Sequence, residues 1–252
     1  MAISHPICCR WGKTRITAGL LLAASLPLAA AGCGGFAAQG RNAEGVRLFQ
    51  KDRYQEALKQ FQEATYSDPN NADSYYNLAA TYHRIGRMEH RQSDLDQAET
   101  YYNLCLDRNA GHTDCYRGLA VLLTQQGRNE EAFRLVQGWV DRQPGLADAK
   151  VELARLNEEF GNRQVAKEHL IEALAVQPDN PRALTALGKI REDAGDKAQA
   201  LANYQRSLQY DNRQPQVASR VASLQTGVAA TLGPPAVDLG TRMADREPSP
   251  LR

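Results

Sequence analysis

Apolar residues recur three and four positions apart along most of the chain, as in Leu119, Leu122 and Leu123, or Leu184, Leu187 and Ile190. That is the spacing of one face of an α-helix. The helical stretches are themselves repeated. Gly127, Gly161 and Gly195 stand 34 residues apart, and so do Ala98, Ala132, Ala166 and Ala200. Tyr102, Val136, Leu170 and Tyr204 keep the same interval, as do Pro144 and Pro178. An earlier unit joins the series after one adjustment. Ala57, Phe61, Ala64 and Pro69 lie 41 residues before Ala98, Tyr102, Cys105 and Ala110, and Gly86 lies 41 before Gly127. Seven additional residues therefore fall between Gly86 and Ala98. The register predicts five units, at about 38–71, 72–112, 113–146, 147–180 and 181–214, followed by a capping helix over 215–224.

Local chemistry makes each unit a helical hairpin. Asn180-Pro181 sets a capping residue before a proline at the first helical position, where its missing N–H costs nothing. Asp196 with Gln199, and Asp94 with Gln97, have the spacing of capping boxes that open a second helix. Gly161 and Gly195 fall at the turn between helices, where a left-handed backbone suits glycine. The alanine column lets paired helices approach closely, and the aromatic or leucine column fills the space between hairpins. One hairpin cannot bury both of its faces, so the units must stack. The expectation is an all-α solenoid.

The period and its columns resemble the tetratricopeptide repeat family over roughly residues 38–224. The matching residues are Gly45, Ala57, Phe61, Ala64 and Pro69 in the first unit, and Leu78, Tyr82, Ala98 and Tyr102 in the second. Leu119, Gly127, Ala132 and Pro144 match in the third, and Leu153, Gly161, Ala166, Ala173 and Pro178 in the fourth. Leu187, Gly188, Gly195, Ala200 and Tyr204 complete the fifth. The resemblance implies a groove lined by the first helix of each hairpin, holding an extended peptide or a partner helix. Its candidate residues are Asn42 and Phe49, then Tyr76, Asn77, His83 and Arg84. Arg117 and Val121 follow, then Arg155 and Glu159, and finally Lys189. The mix of aromatic and cationic groups suits a segment bearing carboxylates and an apolar anchor. Asn77 matches one position of the clamp by which chaperone-binding relatives grip a terminal carboxylate, but Val46, Asp114 and Gly118 occupy others, so that clamp is absent.

The first residues follow another pattern. Arg10, Lys13 and Arg15 precede the apolar run Ile16–Ala31, which Pro27 interrupts, and then Gly32-Cys33-Gly34-Gly35. A cationic start, a short apolar run and small residues form a secretory signal, shorter than the run of about 20 apolar residues that spans a membrane. Leu28-Ala-Ala-Ala-Gly-Cys33 resembles a bacterial lipobox, with Ala30 where leucine is usual. On that resemblance residues 1–32 are a lipoprotein signal, Cys33 is lipidated, and 33–40 tether an array over 41–224. Ordinary cleavage after Ala31 and an uncleaved anchor are the alternatives. Gly34, rather than aspartate, implies outer-membrane residence facing the periplasm. Gly233-Pro-Pro235, Pro248 and Pro250 make 225–252 a disordered tail, with Val237-Asp-Leu239 as a short docking candidate.

Composition narrows the function. The whole chain carries a net charge of +1. Without the three cations of residues 1–32 it has 27 basic and 29 acidic residues, a balance of −2 that disfavours nucleic acid. Cys8 and Cys9 leave with the signal. Cys105 and Cys115 remain, ten residues apart, either as two small buried groups or as a disulfide joining neighbouring helices. His83, His90, His112 and His169 lack metal-ligand spacing, and no serine sits in a strand-turn-helix context, so no metal, cofactor or small-molecule substrate is expected. The seven-residue insertion, within Arg87–Asp94, either lengthens both helices of the second hairpin or forms a loop. The resemblance then implies a non-enzymatic scaffold that binds a segment of another envelope protein, as pilus-assembly lipoproteins and organisers of cell-wall enzymes do. An accessory subunit for an envelope hydrolase is a second reading, and a glycan-binding module a third.

Overall fold

The computed structural model describes residues 30–232, with side chains placed for 35–226. All regular structure among them is α-helical, in eleven helices. Five hairpins follow one another: α1 (Ala30–Phe49) with α2 (Tyr54–Ser67), α3 (Ala72–Glu89) with α4 (Gln92–Arg108), α5 (Thr113–Gln125) with α6 (Asn129–Arg142), α7 (Ala147–Glu159) with α8 (Arg163–Val176), and α9 (Pro181–Asp193) with α10 (Lys197–Tyr210). Helix α11 (Pro215–Leu232) closes the stack.

Every hairpin turns on one left-handed residue. These are Asp52, His90, Gly127, Gly161 and Gly195, with φ of 57°, 52°, 74°, 82° and 86°. The following N–H reaches back to a carbonyl five residues earlier, as in Arg53 to Leu48, Arg91 to Gly86 and Asn162 to Asn157, which closes the helix end. Glycine suits the last three turns, and aspartate and histidine are among the few other residues that tolerate this region. Gly86, aligned with Gly127 by spacing, is not a turn. It lies buried within α3, where an added Cβ would come within 2.7 Å of the Leu95 side chain. The insertion lets α3 run on past it. Helices α3 and α4 have 18 and 17 residues, against 13 or 14 in the three hairpins that follow, so the insertion lengthens both helices.

Two other local expectations change. Asp196 caps α10, accepting from the Gln199 N–H at 3.3 Å, but Asp94 lies inside α4, which begins after Arg91. Residues 33–40 are helical and continue directly into α1, and α11 runs on to Leu232 instead of ending at 224. Gln225–Leu232 contains alanines and leucine and no proline before Pro234, so nothing in it stops the helix. Residues 1–29 and 233–252, with the signal segment and Val237-Asp-Leu239, lie outside the described residues, as does the Cys33 side chain.

The repeated columns form the core. Ala57, Ala98, Ala132, Ala166 and Ala200 are completely buried, and Phe61, Tyr102, Val136, Leu170 and Tyr204 are nearly so. Residue sizes are reciprocal: glycine stands opposite the rings of Phe61 and Tyr204, at Gly45 and Gly188, where a Cβ would come within 2.4 and 2.7 Å. Ala120 and Ala154 hold the same column where the filler is Val136 or Leu170.

Cys105 at the end of α4 and Cys115 at the start of α5 are both buried and joined in a disulfide, so the two sequence readings of this pair are both met. The bond fastens the second hairpin to the third. A crosslink over a loop of this size contributes roughly 2–3 kcal/mol, mainly by restricting the unfolded chain. The double variant Cys105→Ala/Cys115→Ala is expected to lose about that much in urea unfolding, with no change in helix content.

Candidate peptide-binding face

Odd-numbered helices touch one another along the stack, α1 with α3, α3 with α5, α5 with α7 and α7 with α9. Among the described residues the even-numbered helices make no comparable contact. The stack therefore curves with its odd helices inside, and these form one continuous inner face.

Polar groups cross this face from hairpin to hairpin. Asn42 donates to the buried Ser74 hydroxyl at 2.7 Å, and Asn77 donates to Asn42 at 3.4 Å. His112 caps α5 by accepting the Cys115 N–H at Nδ1, which leaves the Nε2 hydrogen to be donated to Asp73 at 3.0 Å. The Tyr76 ring stacks on His112 with centroids 5.5 Å apart. Around them lies an open cleft of about 570 Å³, lined by Asn42, Val46, Tyr76 and Asn77 with the carboxylates of Asp68, Asp73 and Asp114.

The next three odd helices meet at a buried carboxylate. Glu152 of α7 has no exposed surface, yet three guanidinium groups converge on it. Arg117 of α5 donates at 2.9 Å and Arg155, one turn further along α7, at 2.8 Å. Arg182 of α9 reaches the same carboxylate and also Asp148 at 3.1 Å. Burial alone would raise the Glu152 carboxyl, but its hydrogen bond to Arg155 and the charges of Arg182 and Arg155 outweigh it and hold the carboxyl below the ordinary range. Arg117 and Arg155 engage Asp114 and Glu159 with their other ends, at 2.6 and 2.7 Å. A second cleft, of about 300 Å³, opens beside this cluster. Its floor is Val151, Ala154 and Ala186, and its charged rim is Arg155, Arg182, Lys189 and Glu158.

The candidate residues named from sequence divide accordingly. Asn42, Tyr76 and Asn77 line the first cleft, and Arg155 and Lys189 the second. Arg117 and Glu159 belong to the ion-pair network, and Val121 is half-buried on α5 between the clefts. Three are placed differently. His83 is a core residue, close to Tyr102 Oη and paired with Gln125 at 2.9 Å, and burial lowers its pKa. Phe49 packs edge-on to Tyr54 against the first hairpin's core, and Arg84 stands at the hairpin turn, donating to the Tyr54 hydroxyl at 3.3 Å. With Phe49 turned inward and Tyr76 stacked on histidine, the described residues hold no aromatic ladder for a glycan.

Sequence reasoning missed Glu152, Arg182, Asp73 and His112. A signal for one existed: Asp148 and Arg182 are 34 residues apart, so the repeat register sets these opposite charges side by side. Cys105, His112 and Cys115 bring ligand atoms within 4.8 Å of one another. Both sulfurs are bonded to each other, however, and both ring nitrogens of His112 are engaged, so the trio offers a metal no free lone pair of the usual kind.

A model of the family described as TPR repeat matches residues 45–86, and one described as tetratricopeptide repeat matches 91–147 and 151–216. The chain is a tetratricopeptide-repeat protein. Its repeats are similar in sequence to human Protein O-mannosyl-transferase TMTC1, 26% identical over 66% of this chain and 18% of that protein. They also match the BBSome complex member BBS4 homolog of Drosophila melanogaster, 24% identical over 69% of this chain and 36% of that protein. The chain thus spans less than two fifths of these curated relatives. In fold, the tetratricopeptide array is similar to TTC0263 of Thermus thermophilus, described as a thermophilic TPR protein, with a TM-score of 0.58 and 24% identity over 75% of this chain and all of that one. PilF of Pseudomonas aeruginosa gives a TM-score of 0.53 and 17% identity over 79% of this chain and 90% of the other. Tetratricopeptide arrays are generally non-enzymatic scaffolds that bind peptide or protein partners. No helix among the described residues is long and apolar enough to cross a membrane.

Proposed function

We propose that this protein is a membrane-anchored scaffold whose odd-helix face binds a segment of another cell-envelope protein and aids its assembly or localisation. The observation that carries the reading is the inner face itself, with two open clefts on one continuous surface built from consecutive repeats. Anchoring through a lipid on Cys33, on the periplasmic side and in the outer membrane, is supported by the cationic and apolar residues that lead to that cysteine.

A photo-crosslinking residue introduced at Tyr76 or Lys189 tests the face in intact cells, with Tyr66, 85% exposed on α2, as the control position. Adducts with one envelope protein from the first two positions, and none from Tyr66, are expected. Equal adducts from all three would remove the face as the binding site. The Cys33→Ser variant is expected to move from the membrane fraction to the soluble fraction, and its retention in the membrane would remove the lipid.

A further inference from the structure

The two clefts carry opposite charge. The first, at hairpins one to three, is lined by three aspartates and by no lysine or arginine. The second, at hairpins four and five, is lined by Arg155, Arg182 and Lys189 against the single carboxylate of Glu158. Beneath it Glu152 fixes the arginines instead of cancelling them fully, because one carboxylate serves three guanidiniums. Arg155 keeps a buried Nη2 with no partner, so the cluster has a donor left over. The floors differ as well. Amides of Asn42 and Asn77 lie in the acidic cleft, where they suit peptide backbone, whereas Val151, Ala154 and Ala186 give the basic cleft an apolar base.

We propose that the face selects an extended partner segment whose charges are segregated: a basic block seated over Asp68, Asp73 and Asp114, and an acidic block with a small apolar side chain seated over Val151 between Arg155, Arg182 and Lys189. The inference rests on the reading of this face as a peptide site and specifies the peptide. Tyr76 adds an aromatic surface to the acidic end, where a lysine or arginine side chain gains from the ring. At the other end a carboxylate gains charge-assisted hydrogen bonds from guanidiniums already held in place, so little side-chain freedom is lost on binding. Odd helices in direct contact lie about 8–10 Å apart. The cleft centres are three such steps apart, roughly 25–30 Å, which about eight or nine extended residues span. Spacing as well as composition is therefore specified.

Fluorescence anisotropy with labelled 14-residue peptides tests it on the mature chain. One peptide carries a Lys-Arg-Lys block and an Asp-Val-Asp block separated by eight serine and alanine residues. A second has the same composition with its charges alternating, and two more are wholly basic and wholly acidic. The segregated peptide is expected to bind at least tenfold tighter than the alternating one at low salt, with the gap closing as salt rises. Lys189→Glu, at an exposed position, should lower binding of the segregated peptide and of the acidic one but not of the basic one. Asp68→Lys should do the converse. Equal binding of segregated and alternating peptides would overturn the polarity and leave the peptide site standing. Failure of all four to bind would remove both.

Discussion

Replacing Glu152 by alanine is expected to destabilise the folded array by about 3–5 kcal/mol, the range for removing one partner of a buried ion pair. The loss is large because one carboxylate joins three hairpins. Arg117 belongs to α5, Arg155 to α7 and Arg182 to α9, and each is about two-thirds buried. Without the carboxylate the three cations face one another across a cavity. Leaving buried charge unpaired is costlier than never having paired it. Glu152→Gln keeps the shape and removes only the charge, so it isolates the electrostatic part. The folded-state carboxyl lies below its ordinary value, so its contribution is complete above the unfolded carboxyl value of about 4.3. It is lost as pH falls through the lower folded value. The wild-type advantage over Glu152→Gln is therefore expected to be constant from pH 5 to 8 and to shrink below about pH 4, in urea unfolding followed by far-UV circular dichroism. A constant gap down to pH 3 would mean that the carboxylate is not ionised in the folded chain.

The contrast between Glu152 and the alanine columns shows what kind of information the sequence displays. Packing columns repeat because every hairpin must meet the same neighbour geometry, so Ala98, Ala132, Ala166 and Ala200 recur at one interval and announce the fold. A site is the place where repeats differ. Glu152 shares its column with Gly118 and Ala186, and its partners Arg117 and Arg182 are 35 and 30 residues away. No window of a few turns contains the cluster. It becomes visible only when the 34-residue register is combined with the helical phase, which sets Asp148 beside Arg182 and Glu152 one turn further on.

Misplaced residues have the same origin. His83 and Arg84 are adjacent in α3, so they point about 100° apart, and only one helix phase is the inner one. The insertion decides it, because the lengthened α3 carries His83 onto the packed side beside Tyr102 and Gln125. Gly86 aligns with the turn glycines only by counting across that same insertion. The turn itself falls at His90, whose left-handed backbone no glycine announces. Residues such as Asp94 and Gln97 satisfy a capping pattern inside a helix that starts earlier, since the pattern specifies spacing and not position.

Ala166→Arg is expected to unfold at least the fourth and fifth hairpins. Ala166 is completely buried in α8, in a cluster with Val151 and Ala154 of α7, Leu170 and Ala173 of its own helix, and Ala183 and Leu187 of α9. Its column is alanine in all five hairpins, because two helices meet there too closely for a longer side chain. Arginine adds volume that the close-packed site cannot take up, at about 1–3 kcal/mol, and a charge with no partner in an apolar cluster, at several more. The sum approaches the whole stability of an ordinary domain, about 5–15 kcal/mol. Stability in a stack is a sum of units and nearest-neighbour interfaces, so the damage should begin on either side of α8 and leave the disulfide-linked second and third hairpins folded longest. Hydrogen exchange resolved by peptide is the measurement, with Gln164→Arg, at an exposed position of the same helix, as the control expected to change stability by less than about 0.5 kcal/mol. Protection lost over α7–α10 but retained over α3–α6 is the expected pattern. Equal loss along the whole chain would mean that the five hairpins fold as one unit and that the interfaces couple more strongly than a nearest-neighbour stack allows.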